Sequence, residues 1–345
     1  MKTKRLALYI LLSFPMCCLN SAWAESRPLN RDEKQYLLNS LRASPAYYSI
    51  DITYEQRDIV PGDIAQKNIE MMGKKAEEWG KKYNWSNPKF HPIGFFNSNR
   101  EYVVLTKEKI KVEGAMRSRK DITYFSGEDA TAVSREITNI YNNRAFYYIN
   151  KGNKTIHISE EPKFESISPL HFLHCGRLTC NMGIVGDIVR IADPNYGQKR
   201  VVVSRKEFLD GGTVQIDGSL AKQIECFNVD KAQREYTLFL DPNNWGICHK
   251  IVWYNIESGR ASKMSEFKNF SIVKESNDLY PHTIIYTYFD KEGKEEQKEV
   301  INISQVATNL PVADESLQTK TQDFADYEIT DYRFSPPLKT LNSLK

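Results

Sequence analysis

No apolar run in this chain is long enough to cross a bilayer. Spanning takes roughly 20 apolar residues, and the longest run, Leu6–Leu19, has 14. There is no Gly-x-Ser-x-Gly elbow, no His-Glu-x-x-His and no phosphate-binding glycine loop, so the usual signatures of a serine hydrolase, a zinc peptidase and a nucleotidase are missing. Cysteine is scarce, at 6 in 345 residues, and the net charge is only +3. A hydrophobic fraction of 41% excludes a disordered chain.

The first 24 residues read as a secretory leader. Lys2, Lys4 and Arg5 form a basic start, the Leu6–Leu19 run follows, and Ala22 and Ala24 supply the small residues a signal peptidase requires. Cleavage is expected between Ala24 and Glu25, giving an exported protein of the periplasm or cell envelope, or a secreted one in a host without a periplasm. Removing the three basic residues of the leader takes the formal charge from +3 to zero. A neutral chain lacks the cationic surplus that nucleic-acid binding draws on.

Two cysteines lie in the leader, leaving Cys175, Cys180, Cys226 and Cys248. An oxidising compartment favours disulfides, and four cysteines allow three pairings. The simplest is local, Cys175–Cys180 with Cys226–Cys248. His171, His174 and His249 lie near these cysteines, but Cys-x4-Cys departs from zinc spacing, and neither a metal nor another cofactor is expected.

Asn30 and Glu33 stand at capping-box spacing before Leu37, Leu38 and Leu41, which predicts a short helix. Tyr48, Ile50, Ile52 and Tyr54 alternate with polar residues as a half-buried strand does. A second helix is expected over about 62–84, with Ala65, Ile69, Met72, Ala76, Trp79 and Tyr83 on one stripe. The chain then turns β-rich. Tyr102–Thr106, Lys109–Met116 and Asp121–Phe125 are read as separate strands, and Arg135–Tyr141, Ala145–Asn150 and Thr155–Ser159 as hairpins in series. Further strands are expected at Arg200–Ser204, Thr213–Asp217, Gln223–Asn228, Glu235–Leu240, Cys248–Ile256, Phe267–Val273, Thr283–Asp290 and Glu299–Ala307. No linker divides the chain, so residues 25–317 are read as one domain. Residues 318–345 are read as a polar, irregular tail.

The series Phe267-Lys268-Asn269-Phe270, Tyr280-Pro281-His282, the hairpin at Gly293, and Val306-Ala307-Thr308-Asn309-Leu310 before Pro311 resembles the C-terminal half of the Lol-type outer-membrane lipoprotein carriers. Lys111-Val112-Glu113-Gly114 through Asn153-Lys154-Thr155, with Ala145-Phe146-Tyr147-Tyr148, is similar to earlier strands of the same sheet. The resemblance covers about residues 45–55 and 100–315. It implies an α+β fold in which a strongly curved antiparallel sheet, an open half-barrel, carries helices on or plugging its concave face. The residues from Asp63 to Tyr83 would be an elaboration of that fold.

The resemblance implies a non-enzymatic envelope protein that binds a lipid, a lipoprotein acyl chain or another hydrophobic ligand in the half-barrel. Strands with apolar residues on both faces, such as Ile251–Ile256 and Ile284–Phe289, fit a sheet lining a cavity or covered on both sides. The alternative is an envelope sensor or scaffold that binds a protein partner through a sheet edge or the charged helix. A metal-dependent enzyme built on His171 and His174 is a third reading; it has no carboxylate at a recognisable spacing. No ligand-binding residue can be assigned from the sequence.

Overall fold

The computed structural model describes residues 26–41, 47–60, 101–111, 117–126, 132–142, 144–160, 173–192, 205–318 and 324–341, with Ile64, Glu70, Met71 and Lys74. The expected leader and its expected Ala24–Glu25 cleavage junction, His171 and the strand expected at Arg200–Ser204 lie outside the described residues. So does the helix expected over 62–84, except for those four positions, which are helical.

One open sheet dominates the molecule. Its strands are β1 (Arg27–Pro28), β2 (Ser49–Ile59), β3 (Glu101–Lys111), β4 (Arg117–Ser126), β5 (Ala132–Tyr141), β6 (Phe146–Asn150) and β7 (Thr155–Ser159). They continue as β8 (Lys206–Ile216), β9 (Ser219–Asn228), β10 (Gln233–Asp241), β11 (Asn244–Tyr254), β12 (Ala261–Val273), β13 (Asp278–Phe289), β14 (Glu295–Thr308), β15 (Glu328–Asp331) and β16 (Leu338–Leu341). The spatial order is β1-β8-β9-β10-β11-β12-β13-β14-β2-β3-β4-β5-β6-β7-β15-β16. The sheet is strongly curved and does not close into a barrel. Two meanders, β3–β7 and β8–β14, are thus joined by β2, which pairs antiparallel with both β14 and β3.

Short turns set the registers. Asp217 and Gly218, with φ of 49° and 84°, make the two-residue connection between Ile216 and Ser219, and left-handed backbone at both positions matches the twist of a hairpin. In β2 the expected alternation is present. Ile50, Ile52 and Tyr54 are buried on the concave face, while Asp51 and Thr53 point away.

Two helices pack on the concave face: α1 (Arg31–Asn39) and α2 (Met182–Ala192). The capping box of α1 forms as read, with Glu33 N donating to Asn30 Oδ1 and Asn30 N donating to Glu33 Oε2, both at 2.9 Å. Helix α2 was not foreseen from the sequence. Its start is fixed by Ile184 N donating to Asn181 Oδ1 at 3.2 Å. The helices pack against each other. Leu37, Ile184 and Ile188 join Phe208, Ile224, Leu238, Leu240, Ile284 and Ile301 in one core that runs from β8 through β14 to β2.

Two expectations change. Residues 101–111 form one strand with no break at Lys107-Glu108, because both lie in unbroken register with β2. The tail beyond 318 is not irregular throughout. Residues 324–341 return to the sheet, where β15 runs parallel to β7 and pairs antiparallel with β16. Phe324 and Tyr327 then pack on Ile140, Ile149 and Ile156, a second apolar cluster on the opposite face. This aromatic pair gives the polar tail its reason to dock.

Candidate functional site

The concave face has two linings. Across β10–β14 the cross-strand rows begin apolar: Leu240 stands opposite Cys248, and Phe267, Ile284 and Ile301 follow one another through the registers of β12–β14. One row further along, Ile251, Ser265, Tyr286 and Glu299 succeed one another. The next row brings Trp253, Lys263 and Tyr288 together. The Lys263 ammonium lies 5.4 Å from the Trp253 ring centre, 5.0 Å from Tyr286 and 5.2 Å from Tyr288. Three aromatic faces around one cation form a cation–π enclosure. Burial raises the hydroxyl pKa of Tyr286 and Tyr288, and the nearby Glu299 carboxylate adds to it. Burial also raises the carboxyl of Asp58, which stands opposite Glu299 on β2.

From β4 to β15 the same face carries aromatic and basic groups. Lys120 lies over the Tyr54 ring at 5.9 Å and Arg135 over Tyr124 at 5.8 Å. Arg135 also hydrogen-bonds the Tyr148 hydroxyl. Tyr148 faces His157 at 5.8 Å, and His157 meets Tyr332 edge-on at 5.5 Å.

The segment Leu173–Cys180 covers the apolar rows. Gly176, at φ 82°, is held so close to β12 that a Cβ there would meet the Phe270 ring at 2.8 Å. Its carbonyl accepts from Cys248 N at 2.6 Å. Arg177 pairs with Asp278, which also accepts from the Tyr47 hydroxyl, and His174 stacks on the Tyr47 ring at 5.7 Å. His174 is therefore a packing residue of this plug. His282 is a cross-strand tie. Its Nδ1 donates to the Ile303 carbonyl at 2.9 Å, and its Nε2 shares a hydrogen bond with Ser271 Oγ at 2.8 Å.

All four described cysteines are free thiols. The pairing of Cys226 with Cys248 is excluded by topology. Cys226 lies on β9 and Cys248 on β11, with β10 between them. Two strand spacings come to about 9.6 Å, whereas a disulfide needs Cα atoms within about 7 Å. Burial pushes both thiols up to about 12. Cys175 and Cys180, in contrast, hydrogen-bond one another, and Cys175 Sγ lies 3.3 Å from the Tyr286 hydroxyl.

The sequence pointed to His/Cys clusters, but the buried polar cluster joins one of those cysteines, Cys226, to carboxylates and not to histidines. Asp187, Cys226 and Glu235 bring possible metal ligands within 4.8 Å of one another. Lys206 Nζ stands among them, 2.9 Å from Asp187 Oδ2 and 2.6 Å from Glu235 Oε2. Tyr236 donates to Asp187 at 3.1 Å and Asn228 to Glu235 at 2.7 Å. The lysine supplies the positive charge that these carboxylates need, so the group reads as a clamp between α2 and the sheet. No signal in the sequence joined these four elements.

No helix among the described residues is long and apolar enough to cross a membrane. No protein-family model matches the chain, and neither does any curated protein. Solved structures do. A Vibrio parahaemolyticus domain assigned to outer membrane lipoprotein sorting is 10% identical over 86% of this chain and 99% of its own, with a TM-score of 0.37. A LolA superfamily protein from Nitrosomonas europaea is 13% identical over 83% and 97%, with a TM-score of 0.32. MucB in complex with MucA, from Pseudomonas aeruginosa, is 12% identical over 85% and 61%, with a TM-score of 0.22. The resemblance to the lipoprotein-sorting proteins is distant and is one of fold, an open antiparallel sheet curved around helices.

Proposed function

We propose that this is an exported, non-enzymatic binding protein of the cell envelope that holds an amphiphile, a lipid or an acylated protein, against the concave face of its sheet. The observation that carries the reading is the enclosure of Lys263 by Trp253, Tyr286 and Tyr288 where the apolar rows end. Rings with one apolar and one polar end suit the boundary between an acyl chain and its head group. The acyl part would take the place of the Leu173–Cys180 plug over Ile284 and Phe267, with its head at Lys263.

Native mass spectrometry of the protein isolated from an envelope fraction tests this. A stoichiometric acyl-bearing species is expected, together with loss of fluorescent fatty-acid uptake in Trp253→Ala and Lys263→Ala. An empty protein whose variants take up the probe like the parent would overturn it.

The same reading places the chain in an oxidising compartment, where a disulfide oxidant would join the touching thiols of Cys175 and Cys180 and leave Cys226 and Cys248 reduced. Thiol titration under denaturing conditions should then find two free thiols among the four. Four would refute the bridge.

A second reading is binding of a protein partner. At the sheet edge, β16 has one side without a neighbouring strand among the described residues, and Tyr332, Phe334 and Leu338 are exposed there. An extended, apolar peptide strand would add to that edge. Substituting proline in β16 should abolish such binding and leave fatty-acid uptake unchanged.

A further inference from the structure

The segment Asn309–Gln318 crosses the ends of β2 and β4 as a strap. Asn309 Oδ1 accepts from Tyr48 N at 2.9 Å, Leu310 O accepts from Ser49 Oγ at 2.5 Å, and Gln318 O accepts from Arg119 at 2.9 Å. Leu317 is its buried anchor. Beside it opens a cleft of about 370 Å³. Arg117, Arg144, Tyr141, Asn142 and Gln318 line the cleft, and Asp314 reaches in from the strap.

Two features give this cleft a chemistry. Arg117 holds the Asp314 carboxylate at 3.1 Å, so an oxyanion already sits on one guanidinium. Arg144, on the turn after β5, is exposed and lines the same cleft as a second cation. The lining therefore carries two positive charges against one negative. The Arg117–Asp314 pair is 40% and 50% exposed, and pairs so open to water contribute only ~0–1 kcal/mol. A ligand oxyanion can displace Asp314 at little cost, and guanidinium is the group best suited to grip it in bidentate fashion. Apart from Leu317 the lining is polar or aromatic, so the cleft suits a head group and not an acyl chain.

We infer that this cleft is an oxyanion site for a phosphate group, in which Asp314 stands in for the ligand. The cleft is built on β4, β5 and the strap, on strands other than those of the Lys263 enclosure, and does not rest on the amphiphile reading. The phosphate could be free or carried on a lipid head group, and titration of the full chain separates these sources. Inorganic phosphate is one probe. Phosphatidylglycerol vesicles set against phosphatidylcholine vesicles are the other.

Arg144→Gln should weaken binding roughly tenfold. Asp314→Asn should strengthen it by up to about fivefold, by freeing Arg117. Both positions are exposed, and unchanged thermal melts would confirm folding. Phosphate binding with this pattern supports a free-oxyanion site. Phosphatidylglycerol-selective binding with the same pattern supports a lipid head group. Binding of neither probe, or equal binding by both variants and the parent, overturns the inference.

Discussion

Lys206 is the side chain on which the buried polar cluster depends. Its ammonium bridges Asp187 and Glu235, whose side chains are 8% and 18% exposed. Lys206→Met would take from Glu235 its ion-pair partner at 2.6 Å and leave Asp187 only the more distant, exposed Arg190 at 3.6 Å. Removing one partner of a buried pair costs about 3 kcal/mol or more, read as a lower urea midpoint. The acids also set a pH dependence. Burial alone would raise Glu235, but hydrogen bonds from Lys206 and Asn228 outweigh it and hold the carboxyl below its ordinary value. Glu33, bonded to Arg27, is lowered to about 2. A carboxyl whose folded pKa lies below its unfolded value of about 4.3 stabilises the protein above that pH. That contribution is lost as pH falls through the folded pKa. Melting temperatures should therefore fall between about pH 4.5 and pH 2, and Glu33→Gln should flatten that slope.

At the scale of elements, α2 is the instructive case. Its sequence, Met182 to Ala192, contains Gly183 and Gly186 among Ile and Val. Ile184, Ile188 and Ile191 stand at helical spacing, but two glycines and the β-branched residues give the segment a weak intrinsic helix propensity. What holds it is tertiary: the Asn181 cap, packing on α1, and the Lys206 clamp. Asn181→Ala should cost about 1 kcal/mol. Gly186→Ala should stabilise by about 0.5–1 kcal/mol, since a Cβ there meets nothing within 4 Å. Chemical denaturation of both variants checks the pair. By contrast, α1 and β2 were legible because Asn30/Glu33 and Ile50/Ile52/Tyr54 act locally, through caps and alternation. The Lys263 enclosure was not legible. Its four residues come from β11, β12 and β13, and only the registers among those strands bring them together. The proposed Cys226–Cys248 bridge failed for the same reason, since spacing in sequence did not reveal that β10 lies between them.

For the whole molecule, the return of the C-terminal residues matters most. Tyr327 and Phe324 cover Ile140, Ile149 and Ile156 on one face of β5–β7. Tyr327→Ala should destabilise by roughly 3 kcal/mol. A chain ending at Gln318 should melt earlier still and bind hydrophobic dyes through the bared cluster. Unchanged melting in both would mean that β15 and β16 contribute nothing to the stability of the sheet.

The central place of β2 has a consequence for how the protein is made. Its neighbours are β3, close behind it in sequence, and β14, which starts at Glu295. Pairing Ile52 with Val306 closes a loop of more than 250 residues, an entropic cost of about 5 kcal/mol. A chain delivered N-terminus first must hold β2 half-paired until almost the entire polypeptide has emerged. Throughout that interval the middle of the future sheet is an open edge, the kind of surface that recruits strands from other molecules. Synthesis halted before residue 295 would leave that edge permanently bare, so such fragments should aggregate even though β3–β7 can form.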